Sequence, residues 1–165
     1  GEPAAPEALM DPVGPRTLLA LEGVTDPDNV GAIFRNAAAF GVAGVLLSSH
    51  CADPLYRKAI RVSMGATLAL PFAQVPDWAG TLAVLRRAGY RLVALCPGAE
   101  AEDIVEVAGR APRRPRLALL LGAEGAGLSD ATRAAADVEV RIPMAAGVDS
   151  LNVAAACGIA LHRFA

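Results

Sequence analysis

The chain has 165 residues, 54% hydrophobic and 19% charged, with a formal net charge of −2. That apolar content excludes a disordered chain and predicts one domain with a large core, while the slight negative charge, taken alone, speaks against a surface built to neutralise nucleic-acid phosphates. No apolar run reaches the roughly 18 to 20 residues of a membrane helix and no signal-peptide pattern opens the chain, so a soluble, cytoplasmic protein is expected.

In chain order, residues 1 to 15 carry Pro3, Pro6, Pro12, Gly14 and Pro15, a composition that resists regular structure and predicts a flexible linker or arm. The start at Gly1 without an initiator Met sets the expectation of a domain cut from a longer protein. From Arg16 onward short apolar runs alternate with helical stretches. The pattern predicts strand Thr17 to Leu21, helix Asn29 to Phe40, strand Gly44 to Ser48, helix Pro54 to Val62 and a short strand Ala69 to Phe72. Helix Asp77 to Ala88, strand Arg91 to Cys96, strand Leu117 to Leu121, short helix Ser129 to Ala135, strand Val138 to Ile142 and helix Ser150 to Phe164 follow. That alternation predicts an α/β fold with a mostly parallel sheet and flanking helices. Leu117 to Leu121 has no polar side chain, which suits a central strand covered on both faces. Asp53 before Pro54 predicts a helix cap followed by proline in the first turn, and Gly41 and Gly89 stand just past expected helix ends.

Three segments set polar or glycine-rich patches against apolar elements, and each polar group there must find a partner or water. In the first, Val30, Ile33, Phe34 and Ala37 keep the spacing of a buried stripe, while Gly31 and Arg35 fall four apart on a neighbouring face. Glycine inside a helix costs about 1 kcal/mol relative to alanine, so a close contact with a ligand or another backbone is expected to offset it, and the missing side chain is expected to open the approach to Arg35. Asn29 stands in the opening turn, where free N–H groups attract anions. The plainer alternative is a cap at Asp28 or Asn29 and a surface ion pair at Arg35.

The second segment, Leu121 to Ser129, is a glycine-rich turn after a buried strand, a place where small cofactors lie across strand ends. Its order is G-x-x-G-x-G without a following Lys, which is neither a dinucleotide fingerprint nor a phosphate loop. Glu124 would repel a diphosphate and favour a cationic ligand or one presenting hydroxyl donors; the alternative is a tight turn with a solvated Glu. In the third segment Pro143 ends a strand, Ser150 is placed to cap the last helix and Asn152 lies in its first turn. The alternative is an ordinary Ser cap with Asn152 at the surface.

Elsewhere, Cys51, Cys96 and Cys157 are odd in number and widely spaced, which supports reduced thiols and neither a disulfide framework nor zinc. His50 and His162 have no metal-ligand spacing, so no metal is expected. Two basic clusters, Arg57, Lys58 and Arg61, and Arg110, Arg113, Arg114 and Arg116, could touch an RNA backbone or serve as solvated faces.

Together, Asp26-Pro27-Asp28-Asn29 through Arg35, Gly122-Ala123-Glu124-Gly125-Ala126-Gly127-Leu128, and Ser150-Leu151-Asn152-Val153 resemble the three motifs of the SpoU (TrmH) family of RNA ribose 2′-O-methyltransferases, in the SPOUT superfamily. The likeness runs from about Thr17 to Phe164. It implies a catalytic domain over residues 16 to 165 with a deep C-terminal trefoil knot, S-adenosylmethionine bound in the knot, and a homodimer whose interface completes the site. An rRNA or tRNA substrate is implied, as is an N-terminal substrate-binding domain not contained in these residues. On the family pattern the cofactor contacts Leu95, Cys96 and Pro97, then Gly122, Glu124, Gly127, Ile142, Met144, Leu151 and Asn152. Arg35 takes the catalytic place, with Asn29, Glu124, Ser150 and Asn152 arranging substrate or cofactor. Ala154 departs from the Ser that many relatives carry. A guanidinium with a pKa above about 12 accepts protons poorly, so Arg35 is expected to stabilise a developing alkoxide and grip phosphate. The competing reading is a cofactor-binding, RNA-associated module without transfer activity; an ordinary dinucleotide oxidoreductase conflicts with the glycine order.

Overall fold

The run without polar side chains, Leu117–Gly122, is the middle strand of a seven-stranded parallel sheet. A computed structural model describes residues 4–10, 16–111 and 116–164. Along the chain these hold α1 (Pro6–Leu9), β1 (Thr17–Glu22), α2 (Pro27–Ala39), β2 (Gly44–Ser48), α3 (Arg57–Val62), α4 (Ala66–Ala69), β3 (Phe72–Val75) and α5 (Trp78–Arg87). There follow β4 (Arg91–Leu95), β5 (Glu102–Asp103), α6 (Ile104–Arg110), β6 (Leu117–Gly122), α7 (Asp130–Ala135), β7 (Val138–Arg141) and α8 (Val153–Phe164). The strand order is β3-β2-β1-β6-β4-β7-β5 and every pair is parallel.

Strand periodicity divides the core into two layers. Leu19 and Leu21 of β1 and Leu117, Leu119 and Leu121 of β6 join a cluster with Val30, Ile33 and Phe34 of α2, Ile104 and Val107 of α6, and Val153 and Cys157 of α8. The alternate residues Leu18, Ala20, Ala118 and Leu120 pack with Leu9, Met10, Leu82 and Leu85 on the opposite face. The expected α/β architecture with a parallel sheet and helices on its faces is the one observed.

Several boundaries differ from those expected. Helix α2 begins at Pro27 because the Asp26 carboxylate accepts from the Asp28 N–H at 2.9 Å, so neither Asp28 nor Asn29 is the cap. Asp53 accepts from the Leu55 N–H at 2.8 Å in a local turn, and α3 starts only at Arg57. Ala69 belongs to the helical turn α4, and the strand lies at Phe72–Val75; a short apolar run suits either state until its neighbours decide. The segment Glu102–Arg110, where no element was expected, forms β5 and α6.

Of the expected arm, residues 4–10 are described. Pro6 in the first turn suits the helical turn α1, which buries Leu9 and Met10, and the Ala4 N–H donates to the Phe72 carbonyl at 2.7 Å. Room for Leu9 comes from Gly44, where a Cβ would stand 2.9 Å from Leu9 Cδ2. The remainder of the arm, with Arg113 and Arg114 of the second basic cluster, lies outside the described residues.

Candidate functional site

In a parallel sheet all carboxyl ends open on one edge, and a crevice forms where strand order reverses. Here β6 is flanked by β1 and β4. Beyond the ends of β4, β6 and β7 lies a cavity of about 370 Å³, within the usual range of about 300 to 1,000 Å³ for small-molecule sites. Leu95, Cys96 and Pro97 enter it from the end of β4, Gly122, Glu124 and Gly127 from the turn after β6, and Ile142 and Met144 from the end of β7. Ser150, Leu151 and Asn152 close it ahead of α8. The sequence singles out these residues; Leu121, Ala123, Gly125 and Val153, which stand within the same segments without an assigned role, also line the cavity, as does Ala156 beyond the third motif.

The turn after β6 folds back on itself. Gly127 N–H donates to the Ala123 carbonyl at 2.9 Å, and Gly125 and Gly127 hold φ of +79° and +67°, values that glycine adopts without strain. A Cβ on Gly122 would run into the Gly127 carbonyl carbon, so a side chain there would fill the turn. The fold-back presents Glu124 at its exposed tip.

Asn152 joins the three motifs. Its Oδ1 accepts from the N–H groups of Ala154 and Ala155 at 3.0 and 3.2 Å, capping α8 and fixing which way the amide faces. Its Nδ2 donates to Asn29 Oδ1 at 2.9 Å and to Glu124 Oε1 at 2.8 Å. Asn29, only 7% exposed, therefore has its carbonyl oxygen satisfied by another motif, while Glu124 has a second oxygen left at the cavity mouth. The expected Ser150 cap is corrected: α8 starts at Val153, and Ser150 is an exposed lining residue. Asn36 Nδ2 donates to the Ala154 carbonyl at 2.7 Å, locking α2 to α8 behind this triad.

Arg35 is placed differently. It is exposed on α2, makes no hydrogen bond or ion pair among the described residues, and does not line the cavity. Gly31 is explained by another backbone, since a Cβ there would stand 2.7 Å from the Ala59 carbonyl oxygen and 3.0 Å from Val62 Cβ. The glycine seats α3 against α2; it does not uncover Arg35. Asp28 pairs with Lys58 at 2.8 Å, which holds the Lys58 ammonium above its ordinary pKa.

A second network stands behind the turn. Glu22 takes hydrogen bonds from the Ser129 N–H and hydroxyl and from the Thr132 hydroxyl, and Trp78 Nε1 donates to Thr132 Oγ1 at 2.9 Å. Sequence reading missed Glu22; the signal was a carboxylate ending an otherwise buried strand. On the cavity wall, burial and then the neighbouring Glu139 carboxylate push the Cys96 thiol up to about 11, so it is a neutral lining group near pH 7. Cys51, Cys96 and Cys157 are all free. Among the described residues there is no group of three or more His, Cys, Asp or Glu able to hold a metal, and no helix long and apolar enough to cross a membrane.

Residues 16–162 match the family described as the SpoU rRNA Methylase family. The chain is 46% identical over 163 residues to an uncharacterized tRNA/rRNA methyltransferase of Mycobacterium tuberculosis, covering 99% of this chain and 56% of that protein. It is 40% identical over 146 residues to the 23S rRNA (guanosine-2′-O-)-methyltransferase RlmB of Vibrio cholerae, covering 88% of this chain and 57% of that protein. It superposes with a TM-score of 0.82 and 34% identity on the AdoMet-bound rRNA methyltransferase from Sinorhizobium meliloti, covering 94% of this chain and 59% of that one. The chain thus spans little more than half the length of these relatives.

Proposed function

The chain belongs to the SpoU rRNA methylase family, and from that premise we propose that it is the catalytic domain of an RNA methyltransferase. The reaction is transfer of a methyl group from S-adenosylmethionine to a ribose 2′-hydroxyl of rRNA or tRNA. The observation that carries the reading is the Asn29–Asn152–Glu124 triad at the mouth of a cavity beyond the carboxyl ends of β4, β6 and β7.

The cavity residues suit the cofactor. Leu95, Leu121, Ile142, Met144 and Leu151 offer an apolar surface for a purine and a thioether-like chain, and the Glu124 carboxylate offers a counter-charge to a cationic ligand. The fold-back at Gly122 leaves backbone, not side chains, facing the ligand. S-adenosylmethionine supplies a methyl group already activated by a sulfonium centre. What remains for the protein is alignment and the handling of one proton. Asn152 and Glu124 orient groups at the mouth, and Asn29 holds the Asn152 amide. Ser150 supplies a hydroxyl at the rim. Arg35 stabilises the developing alkoxide and grips a phosphate; its guanidinium stays protonated, and the 2′-proton passes to water.

Because Arg35 stands outside the cavity of its own protomer, the reading includes a homodimer in which a second copy brings Arg35 to the site. The exposed Ala155 and Ile159 of α8, with Leu151 two residues ahead of the helix, offer an apolar face for it. The C-terminal trefoil knot implied by the resemblance belongs to the same proposal.

Methyl transfer from tritiated S-adenosylmethionine to total tRNA and rRNA, with mapping of the modified ribose, tests the reading. Label at a 2′-oxygen is expected. Cofactor binding in calorimetry with no transfer to any RNA would favour the module without activity instead. Arg35→Ala should abolish transfer with cofactor affinity nearly intact, and Arg35→Lys should fail to restore full activity because the planar fork is lost.

A further inference from the structure

The face of α3 and the turn after it take no part in the cavity, yet they carry an unusual set of exposed groups. Helix α3 holds Arg57, Lys58 and Arg61 and no carboxylate. Lys58 is engaged by Asp28. Arg57 and Arg61 stand four apart, hence on one face, and are exposed with no hydrogen bond or ion pair among the described residues. Tyr56 at the head of the helix is 59% exposed and Met64 beyond its end is 76% exposed.

Met64 is also the one non-glycine residue with positive φ, +55°, among the described residues. An L-residue with a side chain is disfavoured there, and glycine would not be. The turn holds it regardless: Gly65 N–H donates to the Ile60 carbonyl at 3.0 Å, Ala66 N–H to the Ser63 carbonyl at 3.1 Å, and the Ser63 hydroxyl to the Ile60 carbonyl at 3.0 Å. A large apolar side chain held out in water by a strained backbone points to a contact outside the chain.

The strip lies beside Arg35. Lys58 meets Asp28, and Ala59 and Val62 meet Gly31, so α3 runs along α2 in the same direction. Arg35 follows Gly31 by one turn on that face of α2.

We propose that Tyr56, Arg57, Arg61 and Met64 form a docking strip for a single-stranded RNA segment that flanks the ribose presented to Arg35. The proposal rests on the RNA methyl-transfer reading above. The two guanidiniums take phosphates, for which their planar forks are suited. Tyr56 and Met64 lie against base faces, which single-stranded RNA exposes.

The test is fluorescence anisotropy of a short fluorescein-labelled single-stranded oligoribonucleotide bound to the full chain across a series of salt concentrations. Arg57→Ala/Arg61→Ala should weaken binding and shallow the log–log salt slope by about 1.4, at about 0.7 for each phosphate no longer neutralised. Tyr56→Leu should weaken binding about tenfold with the slope unchanged. Met64→Gly should weaken binding while raising the melting temperature, because the backbone strain is released. An unchanged slope in the double variant, or a Met64→Gly protein that melts higher yet binds RNA as before, overturns the proposal. So does loss of self-association in sedimentation with RNA affinity intact, which would give the strip to a second copy. Calorimetry with S-adenosylmethionine on the same proteins keeps the two readings apart. Cofactor binding should be equal throughout, and if the unmodified chain binds none, the methyl-transfer reading fails while the salt slope still decides the strip.

Discussion

Glu22 and Ser129 are joined twice, one carboxylate oxygen taking the Ser129 backbone N–H at 2.9 Å and the other its hydroxyl at 2.8 Å. Glu22 is also the register partner of Gly122 in the β1–β6 pair. The carboxylate therefore ties the exit of the glycine turn to the strands at its entry, and this fixes the turn that carries Glu124. Glu22→Gln replaces one acceptor by a donor that cannot receive an N–H. The variant should lose about 1.5 kcal/mol of stability, typical of a hydrogen bond to a charged group, and bind cofactor more weakly by calorimetry as the turn loosens. The sole tryptophan, Trp78, joins the same network through Thr132, so its fluorescence should shift in the variant. Unchanged affinity and emission would show that the clamp does not set the turn.

Asn152 uses its oxygen to cap α8 and its nitrogen to hold Asn29 and Glu124. Asn152→Asp keeps the cap but loses both donors and places a second carboxylate beside Glu124. Its melting temperature should stay near that of the parent while cofactor affinity falls at least tenfold. Asn152→Ala should also lose about 1 kcal/mol of stability with the cap. Equal melting temperatures for the two variants would argue against the capping role.

Gly31→Ala sets two effects against each other. Alanine gains about 1 kcal/mol in helix propensity, but its Cβ would press on the Ala59 carbonyl oxygen at 2.7 Å, where backbone must move. Overpacking of that kind costs about 1 to 3 kcal/mol, so urea unfolding should show net destabilisation of about 1 kcal/mol. A stabilised variant would mean that α3 yields freely.

The raised pKa of Cys96 links folding to alkaline pH. Its pKa moves from 9.0 to about 11, so the folded state binds the proton more tightly. The contribution is fully present below pH 9.0 and is lost as pH rises through about 11. Urea midpoints should fall more steeply across this window for the parent chain than for Cys96→Ala. Parallel declines would remove Cys96 as a source of the linkage.

The parallel sheet was legible because β1, β2, β4 and β6 are short apolar runs separated by capped helices, and nothing else in the chain competes for those positions. Less legible was Glu102–Arg110, although Asp103 caps α6, Ile104 and Val107 give its buried face and Arg110 closes its last turn. The helix is only two turns long, and two apolar positions make a weak periodic signal. Gly31 shows the limit for the site: the sequence tells that something comes close, and only packing tells that it is α3. Asn152 was legible as polar and near a helix start, but its double use as cap and bridge depends on α2 lying against α8. Arg35 was read from its motif, and its place outside the cavity lining follows from which face of α2 is buried.

The β1–β6 pairing has a kinetic consequence. Thr17 is matched with Leu117, one hundred residues later, and β6 separates β1 from β4. Such high contact order slows folding, since a long loop must close before the contacts that reward it can form. During synthesis the inner edge of β1 stays bare until Leu117–Gly122 has left the ribosome. The two halves of the sheet therefore mature together when the late strand inserts, and until then that edge is a natural client for a chaperone.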